Sequence, residues 1–283
     1  MKIWLDGQMV SKEEAKLSVY DHGLLYGDGC FEGIRFYNGK IFRLDAHIKR
    51  LFNCMKYLMI NLPWSFEEVC KATEETVAAS GLTDGYVRLV VTRGAGDLGL
   101  DPAKCPVPSM VVIAQTISLY PQEMYDNGLK IITSSYRRAN PDVLCQQVKS
   151  LNYLNSISAK IECKQHGAGE ALLLNAQGNV AECTGDNIFI VKEGVVYTPP
   201  VTEGALDGIT RQAVIDICAE LGIECKEVVM NRFDIVVAEE CFLTGTAAEV
   251  IAVSELDGRP IGTGKAGPVT KKILERYQSL VRE

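Results

Sequence analysis

The dipeptide Asn38-Gly39 separates an apolar run from a segment with helical periodicity, and this arrangement constrains the fold most. Gly29–Tyr37 is largely apolar, which predicts a strand, and Asn-Gly after it favours the tight turn of a β-hairpin. Beyond the turn, apolar residues recur four, three, four and three positions apart, as on one face of a helix, at Leu44, Ile48, Leu51, Met55 and Leu58. The start of the chain therefore predicts an α+β arrangement.

Further strands and helices follow the same kinds of signal. Ser65 and Glu68 form a capping box, which predicts a helix to about residue 79. We also predict helices at about 152–166, at 210–221 with a stop at Gly222, and from Pro268. Apolar runs predict strands at residues 3–5, 86–92, 109–115, 129–133, 170–175, 187–192, 195–198, 240–243 and 250–256.

The segment 118–128 interrupts these patterns and contains Pro121 and Gly128, which favours a boundary. A chain of 283 residues is long enough for two domains. We therefore predict a smaller N-terminal domain at 1–117, a linker at 118–128 and a larger C-terminal domain at 129–283. The second half is predicted to be mostly strand, with helices packed on it.

Composition narrows the function classes. The chain is 47% hydrophobic and 23% charged, as in ordinary globular proteins. Its net charge of -7 argues against a broad nucleic-acid surface. No apolar run reaches the roughly 18 residues of a membrane span, and the first residues show no signal-peptide pattern. Ten cysteines without a C-x-x-C pair and three dispersed histidines predict neither disulfides nor a metal site, and favour a reducing cytoplasm.

Four short segments carry groups that together suit one phosphate-bearing aldehyde cofactor. Lys149 offers an amine for a Schiff base, and Glu182 offers a carboxylate for a ring nitrogen. Gly208-Ile209-Thr210 opens a predicted helix, whose free backbone amides and dipole suit a phosphate. Arg50 on the amphipathic helix supplies a cation for the same group. The order and spacing of these segments make the combination specific.

Each residue taken alone also has an ordinary structural explanation. Lys149 could be a solvated lysine, although a cation just before a helix opposes the helix dipole, and this cost favours a functional role. Glu182 could lie in an exposed turn, Thr210 could cap its helix, and Arg50 could lie on a solvated helix face. Small residues at Thr244-Gly245-Thr246-Ala247-Ala248 would let a ligand approach the backbone closely.

Four motifs are similar to those of a known family. They are Tyr26-Gly27-Asp28-Gly29-Cys30-Phe31-Glu32-Gly33-Ile34-Arg35, Asn152-Tyr153-Leu154-Asn155-Ser156, Glu182-Cys183-Thr184-Gly185-Asp186-Asn187-Ile188-Phe189 and Gly208-Ile209-Thr210-Arg211. Over essentially its whole length the chain resembles the fold-type IV pyridoxal-phosphate enzymes, and most closely the branched-chain amino-acid aminotransferases. The resemblance implies an α+β, two-domain fold like that of the D-amino-acid aminotransferases, with a smaller N-terminal α/β sandwich and a larger, mostly-β C-terminal domain.

The resemblance also implies roles for individual residues. Lys149 would bind pyridoxal 5′-phosphate covalently and move the substrate α-proton, while Glu182 would pair with the ring nitrogen. The other implied cofactor contacts are Arg50, Tyr153, Leu206, Gly208, Ile209, Thr210 and Thr246. The implied substrate contacts are Phe31, Gly33, Arg35, Tyr86, Arg88, Thr246 and Ala247. Tyr26 and Leu100 would complete the site of a neighbouring subunit, so a homodimer is implied.

The implied reaction is transamination of L-leucine, L-isoleucine and L-valine with 2-oxoglutarate. One pocket must then accept both an aliphatic side chain and a distal carboxylate. In the family an arginine meets that carboxylate, and Arg88 lies where this residue would be; a structural ion pair is its alternative explanation.

The lysine segment departs from the family pattern. Lys149-Ser150-Leu151-Asn152 lacks the glycine that usually precedes the Asn-Tyr pair, and is more similar to D-amino-acid aminotransferases and slightly to aminodeoxychorismate lyases. Both therefore stay open as alternatives. The loop from Arg93 to Pro102 contains no Arg-x-His carboxylate trap of the D-enzymes and resembles the branched-chain version. A non-catalytic protein of the same fold would be expected to lose Lys149 or Glu182, and both are present.

Overall fold

The computed structural model describes residues 1–283 and divides into two compact units. The first unit comprises Met1–Ile117 and Val148–Asn152, and the second unit comprises Ser118–Gln147 and Tyr153–Glu283. The predicted domain limits stay a prediction, because packing within one chain does not show which parts fold independently.

The first unit contains one six-stranded sheet in which every neighbouring pair is antiparallel. The strand order is β2-β1-β6-β5-β3-β4, so β3 and β5 lie inside the sheet. Asn38 and Gly39 have φ of 51° and 76°, so the predicted hairpin turn between β3 and β4 is confirmed. The strands are β1 Lys2–Leu5, β2 Gln8–Ser11, β3 Gly29–Tyr37, β4 Lys40–Ile41, β5 Gly85–Thr92 and β6 Ser109–Gln115.

Three helices accompany this sheet: α1 His22–Tyr26, α2 Leu44–Leu58 and α3 Phe66–Ser80. The predicted apolar face of α2 is confirmed, since Ile48, Leu51 and Met55 are buried. The capping box that begins α3 is also present. A short 3-10 turn lies at Pro102–Lys104. Both long helices pack against the sheet and enclose a core that includes Ile34, Phe36, Ile48, Leu51, Val69, Val87, Leu89 and Val112.

The second unit contains a nine-stranded sheet of mixed direction. Its order is β12-β11-β10-β13-β14-β7-β8-β9, with β15 paired to β14. The pairs β11–β12, β14–β7 and β7–β8 are parallel and the others are antiparallel. The strands are β7 Leu129–Arg137, β8 Glu170–Leu174, β9 Val180–Cys183, β10 Asn187–Lys192, β11 Val195–Thr198, β12 Cys225–Glu227, β13 Glu240–Gly245, β14 Glu249–Leu256 and β15 Arg259–Pro260.

The second unit also contains five α-helices and a 3-10 turn at Val201–Glu203. They are α4 Gln122–Asn127, α5 Leu154–Gln165, α6 Ile209–Glu220, α7 Arg232–Val236 and α8 Pro268–Leu280. Gly222 has φ of 68° just beyond α6, which confirms the predicted stop. The α+β fold class is confirmed. No helix is both long and apolar enough to cross a membrane.

One local expectation is wrong. The sequence predicts that Lys149 opposes the dipole of the following helix, but α5 begins only at Leu154, with Tyr153 at its N-cap. Lys149 therefore lies outside the first turn, in a segment that runs beside β3, where Ser150 forms a bridge with Cys30. A dipole effect falls off within one turn, so it gives no reason for this lysine.

Candidate active site

Five predicted substrate residues of the first unit share one face of its sheet. Phe31, Gly33 and Arg35 alternate along β3, and their side chains therefore project to the same side. Arg88 pairs with Gly33, and Tyr86 pairs with Arg35, across the β3–β5 ladder. Residues opposite each other in a ladder point to the same side, so all five positions belong to one surface.

Lys149 lies close to this surface. Its backbone carbonyl accepts a hydrogen bond from the Phe31 amide at 2.9 Å, and its amide donates to Cys54 Sγ at 3.3 Å. Its Nζ lies 4.5 Å from the centre of the Phe31 ring. The Arg88 guanidinium lies at the same distance from that ring, and its Nη2 donates to the Tyr86 hydroxyl at 3.3 Å. Phe31 is thus in contact with two cations, an arrangement that its π-electrons favour.

Gly33 leaves room that no other residue would leave. A Cβ at this position would overlap the Tyr86 hydroxyl. The glycine therefore allows Tyr86 to lie across the strand with its hydroxyl near the backbone of β3. The absence of a side chain at Gly33 therefore has a direct structural reason.

Arg50 is held by a buried carboxylate in the first unit. Its Nε and Nη2 donate to the two oxygens of Glu32, each at 2.8 Å, and His47 Nδ1 lies 2.7 Å from Glu32 Oε2. Burial acts to raise the pKa of Glu32, but the charges and hydrogen bonds of Arg50 and His47 outweigh it and lower the pKa to about 2. Sequence reasoning missed this Glu32 contact, although a carboxylate within an apolar strand was a signal for it.

Tyr26 and the loop that carries Leu100 are neighbours. The Tyr26 hydroxyl accepts a hydrogen bond from the Gly99 amide at 3.0 Å, so Leu100 follows directly after this contact. Leu100 is 81% exposed and Tyr26 is 38% exposed. Their predicted role in a neighbouring subunit's site stays a prediction.

Glu182 accepts hydrogen bonds from several groups of the second unit. It lies in β9 and is buried, not in an exposed turn. Its Oε1 accepts from Arg138 Nη2 at 2.9 Å, and its Oε2 accepts from Asn187 Nδ2 at 3.1 Å and from the Leu206 amide at 3.0 Å. These donors stabilise an ionised carboxylate in one orientation, and they link Glu182 to the predicted ring contact Leu206.

Arg138 was missed by sequence reasoning. It is 4% exposed, and its guanidinium also donates to the Cys183 carbonyl at 2.8 Å and to Ser156 Oγ at 3.0 Å. In the sequence it follows Arg137, and a pair of arginines after a strand gave no signal of a buried partner. Asn187 could have been suspected, because it belongs to the motif that begins at Glu182.

The start of α6 provides backbone donors. Gly208 is the N-cap of α6 and provides no side-chain hydrogen bond to the helix. The backbone amides of Ile209 and Thr210, in the first turn, therefore have no side-chain cap. A Cβ at Gly208 would overlap Asn187 Oδ1, which explains the glycine. This helix start therefore has the geometry that anions require.

Thr246 and Ala247 follow β13 and are half-buried. Thr244, two residues earlier, is buried and its hydroxyl has no hydrogen-bond partner in the protein. Thr244 pairs with Asn187 across the β10–β13 ladder, so both lie on the same side of the sheet. The second unit thus contains the unpaired Thr244 hydroxyl, the hydrogen-bonded Glu182 carboxylate and the helix start at Gly208. These groups suit a polar ligand with a phosphate group. Tyr153, the N-cap of α5, is half-buried.

Comparison with known proteins identifies the family. Residues 29–256 match the model of the amino-transferase class IV family. The chain belongs to the class IV aminotransferases, and it is a transaminase of fold-type IV that uses pyridoxal 5′-phosphate.

Several relatives are similar over nearly the whole chain. A Methanocaldococcus jannaschii protein, to which branched-chain-amino-acid aminotransferase activity is ascribed, is 50% identical over 280 residues, covering 99% of this chain and 96% of its own. The Escherichia coli branched-chain amino acid aminotransferase structure has a TM-score of 0.97 at 36% identity, covering 99% and 94%. The structure of the Thermobaculum terrenum branched-chain amino acid aminotransferase in its pyridoxal-phosphate form has a TM-score of 0.90 at 31% identity, covering 99% and 93%.

An enzyme of different stereochemistry is also similar. The D-alanine aminotransferase of Bacillus licheniformis is 35% identical over 288 residues, covering 99% of this chain and 97% of its own. The similar proteins therefore include an enzyme that is named for a D-amino acid.

Proposed function

We propose that the protein transfers the amino group of L-leucine, L-isoleucine or L-valine to 2-oxoglutarate, giving branched 2-oxo acids and L-glutamate. The observation that carries this proposal is the Phe31 surface, where the Arg88 guanidinium lies 4.5 Å from the ring. An aromatic side chain suits an aliphatic substrate chain, and a guanidinium suits a distal carboxylate. One surface can thus serve both substrates.

The proposed roles are those that the family resemblance implies, and the contacts of these side chains support them. Pyridoxal 5′-phosphate supplies a carbonyl for covalent attachment and a ring that accepts electrons. Lys149 Nζ binds the cofactor and moves the proton of the substrate α-carbon as general base and acid. Glu182, held ionised by Arg138 and Asn187, offers its carboxylate to the ring nitrogen.

We propose the remaining cofactor contacts as follows. The amides of Ile209 and Thr210, at the helix start that Gly208 opens, bind the phosphate. Arg50 adds charge to that site, and Thr210 and Thr246 add hydroxyls. Leu206 packs on the ring, and Tyr153 donates to its phenolic oxygen.

The substrate contacts complete the proposal. Tyr86 and the amides of Thr246 and Ala247 bind the α-carboxylate. Phe31, Gly33 and Arg35 line the side-chain pocket, and Arg88 binds the distal carboxylate of 2-oxoglutarate.

A homodimer in the cytoplasm is also proposed. Tyr26 and Leu100 would complete the site of the second copy. Exposed apolar side chains in the first unit support this interface: Val19 is 71% exposed, Leu24 is 69% exposed and Leu98 is 64% exposed. Leu24 and Leu98 lie within two residues of the Tyr26–Gly99 hydrogen bond, and apolar side chains that lie together on a surface mark interaction sites.

An amino-donor panel tests the proposal. The purified enzyme is assayed with 2-oxoglutarate and both enantiomers of leucine, isoleucine, valine and alanine. We expect kcat/KM for L-leucine to exceed that for D-alanine by at least about 100-fold, since an optimised polar site strongly rejects a misplaced group. Faster turnover of D-alanine would instead identify the second candidate, a D-amino-acid aminotransferase, which the similarity to the Bacillus enzyme favours.

The same assay tests the role of Arg88. Arg88→Ala is expected to raise KM for 2-oxoglutarate at least about tenfold and to change KM for L-leucine less than about threefold. The reason is that only 2-oxoglutarate loses a charge-assisted contact to its distal carboxylate. Lys71→Ala, a change at an exposed i,i+4 ion pair of α3, is the control. Equal changes for both substrates would show that Arg88 is structural.

A further inference from the structure

Glu32 is a charged residue on the core side of a buried strand. It alternates with Phe31 and Gly33 along β3, so it points away from the proposed substrate surface. On its own side lie Cys30, Ile34 and Phe36, which are fully buried, as is Glu32 itself. Ionising a carboxylate there is unfavourable unless it is paired and hydrogen-bonded. A residue in such a place needs a reason that core packing does not supply.

The partners of Glu32 lie on one face of α2. His47 and Arg50 are three residues apart in the helix, so both side chains reach the same side. Together with Glu32 they form a group that we name the Glu32 clamp. Both carboxylate oxygens bind the Nε and Nη2 edge of Arg50, which is a fork-to-fork contact of fixed geometry.

His47 contributes as a neutral donor. Burial lowers its pKa against the opposing effect of Glu32, and the Arg50 and Lys149 charges lower it further. A neutral imidazole donates its Nδ1 proton to Glu32 Oε2, at 2.7 Å, without adding a positive charge. Near neutral pH the guanidinium therefore supplies the positive charge beside Glu32, and His47 supplies a hydrogen bond.

We propose that Glu32 and His47 are positioning residues that fix the guanidinium of Arg50 in the orientation in which it meets the cofactor phosphate. This inference rests on the proposed function, in which Arg50 binds that phosphate. With Nε and Nη2 bound to Glu32, the Nη1 side of the fork is directed away from the carboxylate. A pre-oriented side chain loses little conformational freedom when its ligand binds, so affinity for the phosphate rises.

The test compares two ligands that differ only in the phosphate. Cofactor-free protein is titrated with pyridoxal 5′-phosphate and with pyridoxal, and the ratio of the two dissociation constants is measured by absorbance. The variants are Glu32→Gln, Arg50→Met and the double variant, with Glu75→Gln, an exposed carboxylate of α3, as the matched control.

We expect Glu32→Gln to reduce the preference for the phosphorylated ligand by about tenfold, the effect of one misplaced charge-assisted hydrogen bond. Pyridoxal affinity should change less than about twofold. In the Arg50→Met background, Glu32→Gln should change the preference less than about twofold, because Glu32 acts through Arg50. A purely structural role would instead weaken both ligands alike, and that result overturns the proposal.

The outcomes separate this inference from the proposed function. If Arg50→Met reduces the preference and Glu32→Gln does not, the clamp is refuted while the phosphate role of Arg50 stands. If Arg50→Met leaves the preference unchanged, both are refuted. Should Glu32→Gln fail to fold, as judged by circular dichroism, His47→Leu decides: a smaller loss of preference in the same direction supports the clamp, and no loss overturns it.

Discussion

Each unit contains a buried acid, Glu32 in the first unit and Asp186 in the second, and the two acids differ in the charges beside them. In the first unit Glu32 is bound by Arg50 and His47, and its pKa is lowered to about 2. In the second unit Asp186 lies near another carboxylate, Glu170; burial and that neighbour raise its pKa to about 7. Burial acts in the same direction on both groups. Since burial raises both pKa values, the charges beside each acid account for the difference between the two.

The Tyr120 hydroxyl links the two acids of the Asp186 cluster. The Tyr120 hydroxyl lies 3.2 Å from Asp186 Oδ2 and 3.3 Å from Glu170 Oε2. Glu170 also accepts from Lys160 Nζ at 3.0 Å and from Thr184 Oγ1 at 2.6 Å. These contacts orient the Glu170 carboxylate beside Asp186, and its charge adds to burial in raising the pKa of Asp186. Like charges this close favour a state in which only one acid is ionised.

The largest expected effect concerns the countercharge of Glu32. Arg50→Met should lower the free energy of unfolding by about 3–5 kcal/mol, because it leaves a buried carboxylate without its ion-pair partner. The double variant Arg50→Met/Glu32→Gln should recover most of this loss, since the buried charge is then absent. Urea unfolding followed by circular dichroism measures both. A double variant no more stable than Arg50→Met would contradict the assigned charge pairing.

The next effect concerns pH. The unfolded chain releases the Asp186 proton near the ordinary pKa of 3.8, whereas the folded chain keeps it to about pH 7. The folded state thus binds more protons in this window, and its stability falls as pH rises, by up to about 1.4 kcal/mol per pH unit. Asp186→Asn should remove this slope in urea unfolding between pH 4 and pH 7. Parallel curves for the variant and the wild type would show that Asp186 carries no unusual proton.

The pH effect at Glu32 has the opposite sign. Its folded pKa is about 2, below the ordinary value of 4.5, so its contribution is present above pH 4.5 and is lost on acidification towards pH 2. Glu32→Gln should therefore flatten the acid side of the stability curve and leave the Asp186 window unchanged. If Glu32→Gln instead changed the pH dependence of stability between pH 4 and pH 7, the two acids would not titrate independently.

The smallest effect concerns Lys160, the cation beside Glu170. Its side chain is 32% exposed, so solvent already screens much of its interaction with Glu170. Lys160→Met should cost about 1 kcal/mol, less than Arg50→Met, because exposed pairs contribute little. Lys164→Met, at an exposed position on the same helix, is the matched control and should stay within about 0.5 kcal/mol of wild type. A loss as large as that of Arg50→Met would show that the two clusters depend on their cations equally.

Much of the fold could be predicted from local patterns. The periodicity of α2, the capping box of α3, the Asn38-Gly39 turn and the Gly222 stop all act within a few residues, so one sequence contains the signal. Short elements were missed, among them α1, β2, β12 and α7. A strand of three residues such as β12 is stabilised by its neighbour β11, and its own sequence carries no pattern.

Candidate site residues stand out in the sequence only where a motif contains them. Lys149, Glu182 and Gly208-Ile209-Thr210 stood out, but the residues that hold them did not. Arg138 reaches Glu182 from 44 positions away in the sequence, and no local pattern encodes such a contact. Glu32 was included in a motif without a role, because its partners become apparent only when α2 packs on β3.

Covalent attachment of the cofactor to Lys149 is the bond on which every other proposed role depends. Purified protein loaded with pyridoxal 5′-phosphate is treated with borohydride, digested and mapped by mass spectrometry, with Lys149→Ala in parallel. We expect the cofactor mass on the peptide that contains Lys149, and none on any peptide of the variant. Cofactor fixed to a different lysine, or full turnover by Lys149→Ala, would contradict it.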